Sequence, residues 1–236
     1  MSVVPLEWIA RQDELRALLN IPDTDNIYED LQYVVGMDIS YIKDTDKAVC
    51  TGVILKYPTE EDMLSEWDIV HQESMVVTIT EPYVPGYLAF REIPHYLAVY
   101  AKLRELHPTK CHSLVVVDGN GILHPHGFGL ACHVGVLLDV PTIGCAKTLH
   151  YIDGLQKSLL RGTDGINNHA VEIKGQSGKI YGYAVRRNIN PVYLSPGHKV
   201  SLSTILRFSA VACVYREPEP TRIADRISRA YIRYHM

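Results

Sequence analysis

Apolar positions along the chain change their period several times, and the changes mark out the expected elements. Over residues 6–19 the apolar marks Leu6, Ile9, Leu15, Leu18 and Leu19 fall at helical spacing, which predicts an amphipathic helix. After the polar joint NIPDTDNIYED, three runs rich in Val, Ile and Thr follow at 33–42, 47–57 and 69–80. Polar or turn-like segments separate them, so they predict strands. PHYLAVYAKLREL (94–106) returns to the helical period, with Pro94 suited to its first turn. SLVVVDG (113–119) is a buried-strand signal ended by glycine, GLACHVGVLLD (129–139) predicts a helix, and PTIGCAK (141–147) another strand. KIYGYAVRR (179–187) and PVYLSPG (191–197) predict a further hairpin, and residues 201–215 and 221–234 two closing helices.

The order is therefore three strands, helix, strand, helix, strand, helices. The first three strands can pair as an antiparallel meander, and the later ones must add in parallel through helical crossovers. That is the ribonuclease H-like order, an α/β fold with a mixed central sheet flanked by helices. No repeat, low-complexity tract or linker divides the sequence, and 236 residues suit one domain over 1–236.

Composition narrows the partners. No apolar run approaches the ~18 residues of a membrane span. The N-terminal residues are charged early and lack a signal-peptide core. Five cysteines with no C-x-x-C argue against a disulfide framework or a zinc ribbon. They suit a reducing compartment, cytoplasmic with the nucleus as a further location. The net charge of −4 disfavours a long duplex held by charge alone. If nucleic acid is the partner, its footprint is short, or metal ions supply much of the positive charge. Basic residues cluster at Arg186-Arg187 and at Arg226, Arg229 and Arg233, where a solvated face and a phosphate footprint both fit.

Two acids stand where ionised groups are costly. Asp38 interrupts VVGMDIS, and Asp118 follows LVVV. Either alone also reads as a strand end or a structural ion pair. At matching places on neighbouring strands, however, their oxygens would converge and repel unless a cation lies between them. Hard oxygen ligands suit Mg²⁺, with Mn²⁺ able to substitute. Metals between carboxylates are an apparatus of phosphodiester cleavage. Glu92 reads by itself as a helix-start acid. Lys147 reads as a surface lysine at a strand end, or as a cation facing a phosphate.

GMDIS, EPYVPGYLAFRE, VVDGNGILHPHGFGLACHVGV, PTIGCAK and SPGHKVSL occur in that order. Together they resemble endonuclease V, a family of inosine-directed phosphodiesterases, from about Val34 to Arg229. The resemblance implies a ribonuclease H-like fold, with Asp38, Glu92 and Asp118 as metal-binding and catalytic acids. It implies the same for Asp225, in the manner of the eukaryotic branch. Helical periodicity alone places Asp225 away from the stripe of Ile223, Ile227, Tyr231 and Tyr234, facing solvent. By the same resemblance Lys147 lies near the phosphate and His198 close to the metal. Pro82, Tyr83, Val84 and Pro85 match the family's wedge, a stiffened hairpin offering the Tyr83 ring to a base. Gly86, Leu88, Gly119 and Gly121 match a base pocket built largely from backbone, and His124 closes that pocket or orients its loop. A backbone donor–acceptor pair can select hypoxanthine, which accepts at O6 and donates at N1.

Bacterial-type members usually carry basic residues after the His-Pro, where His126-Gly127 stand here, and Cys145 precedes the alanine of PTIGCAK. Both the missing basic pair and the C-terminus tilt the reading toward a Mg²⁺-dependent endoribonuclease. Its substrate would be single-stranded RNA, cut at the second phosphodiester bond 3′ to inosine to leave 3′-hydroxyl and 5′-phosphate ends. A deoxyinosine-directed DNA repair endonuclease is the first alternative, and an inosine-RNA binding protein with little catalysis is the second. A His/Cys zinc protein built on His124, His126, Cys132 and His133 lacks the usual spaced ligand pairs.

Overall fold

A computed structural model describes residues 4–58, 67–111, 114–157, 170–187 and 190–236. Ser113, at the start of one expected strand, lies outside the described residues. The chain begins with helix α1 (Leu6–Ala17), followed by the three expected strands β1 (Tyr33–Tyr41), β2 (Lys47–Lys56) and β3 (Ile69–Thr78). Then come α2 (Leu88–Leu106), β4 (Val115–Asp118), α3 (Leu130–Leu138) and β5 (Thr142–Ala146). Strands β6 (Ala170–Lys174), β7 (Ile180–Val185) and β8 (Val192–His198) precede the closing helices α4 (Leu202–Ala212) and α5 (Glu219–His235).

The strands form one eight-stranded sheet in the order β3-β2-β1-β4-β5-β8-β7-β6. β1, β2 and β3 are an antiparallel meander, and β4 and β5 add in parallel. The architecture is thus the mixed α/β sheet expected, with one correction. β8 joins β5 antiparallel, and β7 and β6 continue antiparallel, so the crossover rule ends at β5. β6 went unread because its burial is too weak for a clear period-two signal.

Parity along β1 and β4 decides what each face meets, since successive side chains alternate sides. Val34 and Val116 pack with Phe208, Ile205 and Ile223 of α4 and α5. Val35, Met37, Val115 and Val117 pack on the other side with Tyr96 and Val99 of α2 and Val134 of α3. β2 is buried at eight consecutive positions because both of its faces are covered. Gly36 faces α5, and a Cβ there would lie 2.0 Å from the Pro220 carbonyl oxygen, so glycine sets how closely α5 approaches. Among the described residues, no helix is long and apolar enough to cross a membrane.

Two helices differ from their sequence patterns. α2 begins six residues before Pro94, which lies inside it, and Glu92 is therefore a helical residue instead of one preceding the helix. Burial of Ala89, Ile93, Tyr96 and Val99 carries the helix through the proline. An interior proline removes a backbone bond and costs about 3 kcal/mol, which that burial outweighs. In α1, Leu6 and Leu18 are exposed, and the buried residues are Gln12 and Leu15. The helix is held instead by Trp8, stacked on Phe90 at 5.0 Å, and by Gln12 Nε2, which donates to the Gly86 and Phe128 carbonyls.

Candidate active site

Met37 on β1 is level with Val117 on β4, so the next residues, Asp38 and Asp118, emerge side by side where the parallel pairing of the two strands ends. Both have the parity of Val34 and Val116 and therefore turn toward α5. That helix answers with Asp225 and Ser228, one turn apart. Asp225 lines the same cleft as Asp38 and Asp118, so the solvent-facing position read from helical periodicity is corrected. The apolar stripe of α5 describes its contact with the sheet's interior, whereas Asp225 reaches the sheet's upper edge, where that interior ends.

The acids are individually held. Asp38 is 3 % exposed, and its Oδ2 accepts from the Ser40 hydroxyl at 3.2 Å and the Ser228 hydroxyl at 3.1 Å. Glu92 is 4 % exposed and accepts from the Tyr41 hydroxyl at 2.5 Å, while the Arg91 guanidinium lies over the Tyr41 ring. Asp118 Oδ2 pairs with Lys147 Nζ at 2.9 Å, and the same ammonium meets Glu217 Oε2 at 3.1 Å. Asp225 Oδ1 accepts from Arg229 Nε at 2.7 Å. Burial, then the charges of Asp118 and Asp225, pushes the Asp38 carboxyl up to about 7. Burial also raises Glu92 to about 7, against the hydrogen bond from Tyr41. Burial alone would lower the Lys147 amine, but Asp118 and Glu217 outweigh it and hold it above its ordinary value.

The donor set is all carboxylate, which suits a hard divalent cation. Tyr96 supports the fit. Its hydroxyl is buried without a hydrogen-bond partner and lines the cleft containing Glu92, Asp38 and Asp118. Among the described residues, no three His, Cys, Asp or Glu side chains stand as a ready metal cage. Lys147, Arg229 and Tyr41 each hold one of the acids through a direct contact.

The segment expected to bind substrate precedes α2, the helix that carries Glu92. Pro82–Gly86 is a turn leading into α2 and not a hairpin. Tyr83 is 59 % exposed and projects outward, whereas Val84 is buried and anchors the turn. Gly86 adopts φ +82°, a conformation that favours glycine. Leu88 and Gly119 line the cleft next to Glu92. Gly121 does not. A Cβ there would sit 2.0 Å from the Pro196 carbonyl oxygen, so this glycine serves close packing against β8. His124 is buried, its Nδ1 accepts from the His126 backbone N–H, and burial with nearby His150 and His126 lowers it to about 3.

His198 does not join the acids. It pairs with Thr142 at the start of β5, and Lys147 lies beyond the other end of that strand, roughly 16 Å away at the usual rise. Its Nδ1 accepts from the Asn20 backbone N–H, and its Nε2 is 3.5 Å from Asp139. SPGH sits at the end of β8, and that strand runs antiparallel to β5, which carries the histidine to the opposite edge. Cys132 and His133 are likewise core residues. Cys132 Sγ donates to the Pro196 carbonyl, and the His133 ring packs against Phe90 and Phe128.

The sequence reading missed Tyr41, Ser40, Ser228 and Glu217. Ser228 had a signal, since it stands three residues after Asp225 on a helix. Glu217 had none, because it reaches Lys147 from the turn between α4 and α5.

A family profile described as endonuclease V matches residues 14–226. Human endonuclease V is 39 % identical over 239 residues, covering 96 % of this chain and 82 % of the relative. Endonuclease V of Roseiflexus castenholzii is 37 % identical over 221 residues, covering 92 % of this chain and 88 % of the other. The crystal structure of the catalytic domain of human endonuclease V superposes with a TM-score of 0.86 at 38 % identity, over 97 % of this chain and 95 % of that one. Ciona intestinalis endonuclease V, solved with a DNA containing an inosine followed by a ribo-adenosine, also gives a TM-score of 0.86, at 33 % identity and 97 % coverage of both chains. The chain belongs to the endonuclease V family.

Proposed function

We propose that the protein is a divalent-metal-dependent endoribonuclease that cuts inosine-containing single-stranded RNA at the second phosphodiester bond 3′ to the inosine. The products are a 3′-hydroxyl and a 5′-phosphate. One observation carries this reading: Asp38 and Asp118 emerge level on adjacent parallel strands, with Glu92 and Asp225 converging on them from two helices. These four acids are the residues that would hold Mg²⁺, with Mn²⁺ able to replace it. Bound there, the metal supplies water activation and neutralises charge on the scissile group.

The chain's own residues do the rest. Lys147, braced by Glu217, offers an ammonium to the phosphate beside Asp118. Ser40 and Ser228 fix the Asp38 carboxylate, and Tyr41 fixes Glu92. Pro82 and Pro85 limit the freedom of the turn that presents Tyr83, which stacks on a base at little entropic cost. Backbone groups near Gly86, Leu88 and Gly119 read hypoxanthine, with buried neutral His124 fixing the adjoining loop. The five cysteines are free and buried, which suits a reducing cytoplasmic or nuclear location.

Deoxyinosine in DNA is the second reading. The Ciona relative was crystallised with a ribo-adenosine directly after the inosine. A ribose at that place is where a ribonuclease would read a 2′-hydroxyl, which favours RNA. Four matched strands test this, RNA or DNA, each with inosine or adenosine, with and without Mg²⁺. Cleavage only of inosine RNA with metal is expected. Equal or faster cutting of the DNA strand would move the assignment to repair, and tight binding without product would make the protein a binder.

A further inference from the structure

Arg222, Arg226, Arg229 and Arg233 follow one another along α5 at spacings of four, three and four, so they share a helix face. They line a groove of about 530 Å³ between α5 and the start of β3, with Trp67 and Ile223 in its floor. Two of the arginines are engaged. Arg222 makes a fork to Glu219 at 2.7 and 2.6 Å, and Arg229 is bonded to Asp225. Arg226 and Arg233 are exposed, and among the described residues neither has a recorded ion pair, leaving two positive charges on a chain that is acidic overall. Tyr234, 75 % exposed, stands at the groove's edge.

The groove is joined to the acid cluster. Arg229 forms a wall of both, facing Asp225, Asp38 and Asp118 on one side and the arginine groove on the other. The polarity of a bound strand follows from the sheet order. The base-reading loops lie after β4 and before α2, beside Gly119 and Leu88. The α5 groove lies on the opposite side of Asp38, over β1, β2 and β3. A strand with its inosine at those loops and its cut phosphate over Asp38 and Asp118 has an open path across α5. Because the cut is 3′ to the base, the departing segment is the 3′ arm.

We infer that the α5 groove is a subsite for the sugar-phosphate backbone of single-stranded nucleic acid 3′ to the cut, with Arg226 and Arg233 on phosphates. This rests on the proposed function and extends it. Positions 226 and 233 are about 10 Å apart along the helix axis, which suits contacts to different phosphates. Their planar forks match phosphate oxygens. Tyr234 gives a sequence-tolerant stacking surface next to them, the usual companion of a backbone-tracking groove. An acidic protein would satisfy the same charges, but continuity with the catalytic cleft through Arg229 favours the substrate strand.

The test uses inosine oligoribonucleotides whose 3′ arm extends about three or about twelve nucleotides past the cut, a range spanning one single-strand site. For the wild type, KM falls several-fold with the longer 3′ arm while kcat is unchanged. In Arg226→Gln/Arg233→Gln that gain disappears, and the slope of log affinity against log salt for the long strand drops by about 1.4, the value for two phosphates. Arg226→Lys/Arg233→Lys keeps the salt slope, which separates lost charge from misfolding. A long-arm gain that persists in the glutamine variant overturns the inference and leaves the groove to an acidic protein. Loss of sensitivity to the 5′ arm instead overturns the polarity. Wild-type failure to cut any inosine strand would count against the proposed function, whereas cutting without 3′-arm dependence counts against the groove alone.

Discussion

The Ser228 hydroxyl lies 3.1 Å from Asp38 Oδ2 and 2.7 Å from the Ser40 hydroxyl, so one helix residue and one strand residue together hold an acid of the cluster. The same serine oxygen is 2.9 Å from the Asp225 carbonyl, which ties the two acid-bearing elements at one atom. Ser228→Ala removes the link without disturbing α5, since alanine is the better helix former. Outer hydrogen bonds of this type typically contribute 10- to 100-fold to metal affinity or activity. The expected result is about a tenfold rise in the Mg²⁺ concentration needed for half-maximal cleavage, with the melting temperature little changed. An unaltered metal titration would show that the serine bears only on packing.

Asp38→Asn and Asp118→Asn should each abolish cleavage while inosine-RNA binding persists, because the proposed base contacts are made by backbone groups and the Tyr83 ring, which neither substitution removes. Gel-shift and cleavage assays on the same strand check this. Ordinary turnover by either variant would remove the acids from the reaction.

The acid pair also predicts an unusual pH response. Burial and neighbouring acids push the Asp38 and Glu92 carboxyls up to about 7 in the folded protein, against about 4 in an open chain. Between those values the folded state holds more protons than the unfolded one, so these two groups make stability fall as pH rises. His124 and His133, lowered to about 3 and about 4 mainly by burial, act in the opposite direction below about pH 6.5. The informative quantity is therefore the difference between Asp38→Asn and wild type, melted in chelator. The variant's advantage should grow from about pH 4 to about pH 7 and then level off. Added Mg²⁺ should raise the wild-type melting temperature most at the upper end of the range. A difference that is flat with pH would count against a buried, raised carboxyl.

Two glycines of one motif should behave differently. At Gly121 an added Cβ meets the Pro196 backbone at 2.0 Å, and backbone has nowhere to go. Gly121→Ala should lose about 1–3 kcal/mol of stability in a denaturant titration. At Gly119 the nearest atoms belong to the flexible Leu130 side chain, at 2.9 Å. Gly119→Ala should fold and instead weaken discrimination of inosine from adenosine. Equal destabilisation of the two would mean that both glycines serve packing.

The runs of Val, Ile and Thr were enough to place β1, β2, β3, β4 and β5: a strand buried on both faces, such as β2, writes itself as a continuous apolar run, and the edge strand β3 keeps its β-branched residues. They also exposed Asp38 and Asp118, since an acid interrupting or ending such a run is costly wherever the chain goes. Local pattern failed where distant contacts decided. Pro94 did not start α2, because burial of Ala89 and Ile93 outweighed the proline. Of the marks on α1 only Leu15 is fully buried, and the rest of the buried face is Gln12, whose side chain bonds to two loops. Asp225 looked solvent-facing by helical period, yet strand parity turns Asp38 and Asp118 toward α5 and brings the three into one cleft. His198 looked like a site residue by motif, yet the antiparallel entry of β8 carries it to the opposite edge of the sheet. The sequence by itself determined which segments are buried and which acids need a partner, because those follow from solvation along the chain. Only the tertiary structure decided which acids meet and what braces them, because register and strand direction are set by packing between residues far apart in sequence.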